Sequence, residues 1–180
     1  IKISLSTQPR SMVFESVRCG DVDFGLVLSD KPPEGLKSHA LKVARLCLFV
    51  SSTHALARRS RLNLTDLASV PFVVGPQKTE YTEMISRVLT HNGLSQYSVA
   101  ARISNFEGVK EVVHAGLGIG LLPSFMIKRE IRDGALRELK VNDFTGSATI
   151  MQLERVERLV AQELEQLAAP GPAADERTHA

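Results

Sequence analysis

The chain has 180 residues, 43% of them apolar, enough to bury one substantial core or two smaller ones joined at a hinge. Its 22 lysines and arginines nearly balance 20 aspartates and glutamates, and a scattered formal charge of +2 excludes a phosphate-binding face. Cys19 and Cys47 form neither a disulfide framework nor a C-x-x-C pair, and no apolar run is long enough to span a bilayer, so a soluble, cytoplasmic chain is expected.

Strand-like and helix-like patterns alternate along the chain, which predicts an α/β architecture with a largely parallel sheet. Ile1 to Leu5 alternates apolar and polar residues and reads as a strand; a chain opening there, on Ile rather than Met, reads as a piece of a longer protein. From Ser11 the period changes, with Val13, Phe14 and Val17 on one helical face and Gly20 at the left-handed position that ends a helix. Phe24 to Leu28 is a short apolar run of the kind covered on both faces, completing a βαβ unit. Residues 29 to 37, with Pro32, Pro33 and Gly35, form a loop, and Ala44 to Val50 is another buried strand. The basic run Ala57-Arg58-Arg59-Ser60-Arg61 has the composition of a solvated turn.

Leu62 to Leu67 reads as a helical turn and Pro71 to Val74 as a strand stopped by Gly75-Pro76. Glu80 to His91 is amphipathic, with Met84, Ile85, Val88 and Leu89 inward and Asn92-Gly93 at its end. Tyr97 to Ile103 is a strand, and Ser104 with Glu107 forms a capping box for the helix carrying Val109, Val112 and Val113, which ends at Gly116. Ile119 to Leu122 is a strand closed by Pro123, Ser124 to Arg132 a helix, and Leu136 to Val141 and Thr149 to Leu153 are strands. Val156, Leu159, Val160, Leu164 and Leu167 mark a final amphipathic helix, and residues 169 to 180 have the composition of a disordered tail.

Catalytic and metal chemistry find little support. Gly116-Leu117-Gly118-Ile119-Gly120 has the wrong glycine spacing for a dinucleotide fingerprint, and lies after a helix and before a strand, the reverse of the order that aims a helix N-terminus at an anion. The histidines stand apart from one another and from the cysteines, so no metal site and no cofactor are expected. No G-x-S-x-G elbow exists, and the chain is expected not to be an enzyme. What remains are polar residues at the mouths of the elements: Ser11 as a helix N-cap, Gln77, Lys78 and Thr79 between a strand and a helix, and Ser104 with Asn105 in the same position further on. Open α/β sheets bind ligands there, beyond the strands' carboxyl ends, where helix N-termini offer N–H groups to a carboxylate or other anion.

Several segments together resemble the effector-binding domain of LysR-type transcriptional regulators. Val17 to Val27 is similar to that family's helix-to-strand signature, and Leu48-Phe49-Val50 with His54-Ala55-Leu56-Ala57 to its next strand, with Ala55 where proline is usual. Leu62 to Ala68 with Pro71-Phe72-Val73, then Val109 to Pro123, then Gly134-Ala135-Leu136, follow in the family's order over about residues 1 to 168. The resemblance implies two Rossmann-like lobes hinged by crossover strands, a periplasmic-binding-protein-like (type 2) fold. Lobe I would take residues 1–44 and 151–168, incomplete at its N-terminus because the family places a strand and a helix before Ile1; lobe II would take 45–150. It further implies a small anionic effector in the interlobe cleft, with Ser11 as the first-lobe hydroxyl and Gln77 to Thr79 as the second-lobe wall. A homodimer or tetramer would reach DNA only through a winged helix-turn-helix that is not in this chain. A periplasmic-type solute-binding protein, which shares the two-lobed fold, is the alternative.

Overall fold

The computed structural model describes residues 2–29 and 34–155; the expected final helix and tail lie outside them. Strand β2 (Lys37–Ser51) organises everything else. Its first part, Lys37 to Arg45, pairs antiparallel with β7 (Ser147–Glu154), which pairs antiparallel with β1 (Gly25–Ser29) on its other side. From Leu46 onward β2 pairs antiparallel with β5 (Gly120–Pro123), and from Phe49 also with β6 (Leu136–Glu138). One strand therefore belongs to two sheets and changes partners at Arg45–Leu46. Strands β3 (Phe72–Val74) and β4 (Val99–Arg102) pair in parallel, and a bridge from Phe72 to Ile119 carries them onto the β5 side.

The helices follow from which strand faces are apolar. Helix α1 (Arg10–Cys19) lays Val13, Phe14 and Val17 on Val27, Met151 and Leu153 of the first sheet. In the second half of β2 the alternation is two-sided. Leu46, Leu48 and Val50 face a core that includes Met84, Ile85 and Leu89 of α2 (Glu80–His91). Cys47 and Phe49 face Val109 and Val113 of α3 (Phe106–His114) and Ile127, which precedes α4 (Lys128–Arg132). A strand buried on both faces must be nearly all apolar, and residues 46–50 are.

Several expectations need correction. Among the described residues the sheets are mainly antiparallel, with parallel pairing confined to β3–β4 and isolated bridges, because β5, β6 and β7 all run against β2 rather than joining it through a repeated βαβ crossover. Residues 2–9 form no strand: no described strand pairs with them, and the alternation that suggests one leaves Ile3 and Leu5 exposed. The helix-and-strand unit of α1 and β1 is thus not a βαβ unit. Strand β1 is buried on one face only, with Leu26 on the open side. Strand β2 begins seven residues before Ala44, at Lys37, since pairing with β7 holds a segment whose Lys37, Ser38, His39 and Lys42 carry no apolar pattern.

The glycine cluster is structural. Gly116 takes φ 85° just past α3, and a Cβ on Gly118 would fall 2.3 Å from the Pro71 carbonyl oxygen, which the Ile119 N–H also reaches. Gly120 lies opposite Phe49, and a Cβ there would sit 2.3 Å from the phenyl ring. Gly120→Ala should therefore lower stability by about 1–3 kcal/mol, read as a lower urea midpoint at constant slope. Adding Phe49→Leu should return part of that loss; a G120A protein as stable as the wild type would contradict this packing.

Candidate functional site

The turns after β3 and β4 lie side by side. The Ile103 N–H donates to the Val74 carbonyl at 2.8 Å and Arg102 Nη1 to the Gly75 carbonyl at 3.3 Å, so the starts of α2 and α3 open at the same edge. Gly75 is required there: a Cβ would meet Thr82 Oγ1 at 2.8 Å and the Tyr81 ring at 2.9 Å. The turn continues through Lys78 at φ 59° to Thr79, the N-cap of α2. The Thr79 hydroxyl accepts the Thr82 N–H at 3.4 Å and donates to the Pro76 carbonyl at 2.9 Å. Tyr81 fixes the helix from beneath, donating to the Leu121 carbonyl at 2.8 Å, and burial pushes its phenol pKa up.

The start of α1 is joined to this edge by charge. Arg10 is the first residue of α1, where a cation opposes the helix dipole and no acidic side chain of the first turn offsets it. The offset comes from elsewhere: Arg10 Nη1 lies 3.1 Å from Glu80 Oε2, at the start of α2, and the guanidinium sits 4.4 Å from the centre of the Phe14 ring. Glu80 Oε1 also accepts from Arg87 Nη2 at 2.9 Å. Arg10 Nε is enclosed with no acceptor.

Of the residues singled out from sequence, Gln77 and Lys78 are exposed in the turn before α2, and Thr79 spends its hydroxyl on capping that helix. Ser11 is exposed beside Arg10 in the first turn of α1, but it is not the N-cap; that position is Pro9, whose side chain accepts nothing. Ser104 is not the cap of α3 either. Asn105 is, its Oδ1 accepting the Gly108 N–H at 2.7 Å, because the extended residue before the helix is one position later than the Ser-x-x-Glu pattern placed it. Ser11 follows Arg10 in the chain and Gln77 to Thr79 precede Glu80, so the residues shown together are Arg10 and Glu80; Ser104 and Asn105 follow β4. Sequence reasoning missed Arg10 and Glu80; Glu80 in the first turn of a helix was a visible signal, its partner was not.

An open concavity of about 650 Å³ lies elsewhere, where β2 leaves the first sheet, lined by Val43, Arg45, Arg87, Val88, His91 and residues 145–147. Arg45 is committed to Glu138 at 2.5 Å, and that hydrogen bond holds its guanidinium pKa above the usual value. The Cys47 thiol is pushed up to about 12 by burial, so this sulfur packs rather than reacts. Among the described residues, no helix is long and apolar enough to cross a membrane.

The model of the LysR substrate binding domain matches residues 1–168. The chain belongs to this family. It is 27% identical over 133 residues to the HTH-type transcriptional regulator CysL of Bacillus subtilis, a match covering 74% of this chain and 44% of CysL. It spans about half the length of the curated relatives it matches. The regulatory domain of Synechocystis CcmR, solved in complex with 2-PG, superposes with a TM-score of 0.73 at 17% identity, covering 96% of this chain and 86% of that one. The effector binding domain of QuiR, solved in complex with shikimate, gives 0.70 at 14% identity, covering 83% and 69%. Of the two readings of a hinged α/β binding module, the matches favour the regulatory one over the solute-binding one.

The capping assignment is directly checkable. Asn105→Ala should cost about 1 kcal/mol through loss of the α3 cap, whereas Ser104→Ala should stay within about 0.5 kcal/mol of wild type. Equal effects in urea unfolding would overturn it.

Proposed function

We propose that this chain is the effector-sensing part of a bacterial LysR-type transcription factor, that it binds a small anionic molecule between the two sheets, and that it has no catalytic role. The observation that carries the reading is the convergence of the starts of α1 and α2 on one site, bridged by Arg10 and Glu80, with the start of α3 beside it. Three helix N-termini turned toward one edge supply N–H donors and positive potential for a carboxylate. The contacts would come from Ser11, Gln77, Lys78 and the backbone around Thr79 on the near side, and from Ser104 and Asn105 beyond.

The division into lobe I, residues 1–44 with 151–168, and lobe II, residues 45–150, is supported by the partner change of β2 between Arg45 and Leu46. Two strands crossing between lobes make a hinge whose angle a ligand can bias, provided it binds one angle better than another. In the whole protein that angle would be passed, within a cytoplasmic homodimer or tetramer, to a winged helix-turn-helix outside this chain.

A thermal-shift panel of small carboxylates, including shikimate and benzoate, tests this. A ligand at about a hundred times its Kd should raise Tm by roughly 5–10 °C by mass action. Ser11→Ala and Lys78→Ala should each weaken such a ligand several-fold without lowering the Tm of the free protein. A panel in which no anion moves the midpoint would count against sensing by this chain.

A further inference from the structure

We propose that the Arg10–Glu80 ion pair is a latch that holds the two sheets together in the absence of ligand, with Glu80 occupying the place on Arg10 that a small carboxylate would take. The occupancy clause rests on the effector-binding reading above; the latch itself does not.

The pair joins two packed bodies that also share an apolar seam. Helix α1 packs on the first sheet through Val13, Phe14 and Val17, whereas α2 packs through Met84, Ile85 and Leu89 on the second core, which Leu28 of β1 and Ala148 of β7 also meet. Strands β2 and β7 carry the chain between these bodies, and Arg10–Glu80 ties them on the helix side. Both side chains are largely withdrawn from water, 25% exposed for Arg10 and 12% for Glu80, which separates this contact from a solvated surface pair.

The pairing is also incomplete on one side only. A guanidinium matches a carboxylate best through two parallel N–H bonds, but Arg10 offers Glu80 a single nitrogen, Nη1, while its Nε is enclosed with no acceptor. Glu80 depends on Arg10 far less. It keeps Arg87 Nη2 at 2.9 Å and sits in the first turn of α2, where the helix dipole favours its charge. Exchange is therefore asymmetric: a free carboxylate that replaces Glu80 at Nη1 can also satisfy Nε once the guanidinium turns out of its enclosure, and the displaced Glu80 still has a cation beside it.

The test measures the distance between the two bodies. Cys19, exposed at the end of α1, and a cysteine placed by Arg129→Cys on exposed α4 accept spin labels, while buried Cys47 does not. Pulsed electron-electron resonance on the 180-residue chain should show one narrow distance distribution in the parent. It should be broader and displaced in E80Q and in R10Q. If E80Q and R10Q reproduce the parent distribution, the latch does not exist. For the occupant, benzoate should stabilise E80Q at about a tenfold lower concentration than the parent and leave R10Q unaffected, and neutral benzamide should do nothing. Benzoate acting equally on E80Q and R10Q would remove Arg10 from the site. A ligand panel without a hit, alongside an E80Q protein whose distance has changed, would defeat the sensing reading and leave the latch standing.

Discussion

Strand β2 must satisfy two sheets at once, and the rest of the structure is arranged around that demand. Its pairs with β7 fix one register over Lys37 to Arg45, and its pairs with β5 fix another from Leu46. Since side chains alternate between faces, a slip of one residue beyond Arg45 would exchange the partners of α2 with those of α3. The irregularity between Ala40 and Lys42 sits in the half of β2 where residues 39–43 are exposed and a shift can be absorbed. The half that runs between two helices has none.

The same strand explains where charge accumulates. Because β2 and β7 hold the first sheet against the second, the start of α1 is brought to the start of α2, two positive helix ends facing one another. Glu80 answers both Arg10 and its own helix, which is the cheapest neutralisation available from a single carboxylate. A different solution operates at the far side of the second core. There burial opposes a charge on Lys110, yet its hydrogen bonds to Glu107 and to Glu130, the latter at 2.6 Å, outweigh that and hold its pKa above the usual value, tying α3 to α4. The first arrangement joins two bodies that a hinge separates; the second stiffens one of them.

Much of this could be seen in the sequence wherever burial writes a pattern. Helix α2 runs from Glu80 to His91 as its apolar spacing predicts, Gly20 ends α1 in the left-handed region, and the glycines from 116 to 120 form a turn into a strand rather than a phosphate cradle. The motifs resembling LysR effector-binding domains led to the family that the match over residues 1–168 shows. What stayed hidden depends on partners distant in the chain. Residues 37–43 are a strand only because β7 lies beside them, residues 2–9 lack such a neighbour among the described residues despite their alternation, and the antiparallel sense of the sheets is not encoded in any local period. Ser11 and Ser104 read as caps because serine commonly is one, but the helices begin where Pro9 and Asn105 leave the chain extended. Whether the turn residues touch a ligand is a question of side chains converging from two sheets, as Arg10 and Glu80 do, and no spacing announces it.

In the proposed function, ligand enters between the sheets, at the edge where α1, α2 and α3 begin. Backbone amide chemical shifts followed by NMR during titration with a carboxylate test it most directly. The account predicts the largest changes at Arg10, Ser11, Lys78 to Glu80 and Asn105, with smaller ones at Arg45 and Leu46 where the hinge strand changes sheets. Changes confined to the groove around Val43, Val88 and His91, with those amides silent, would contradict it.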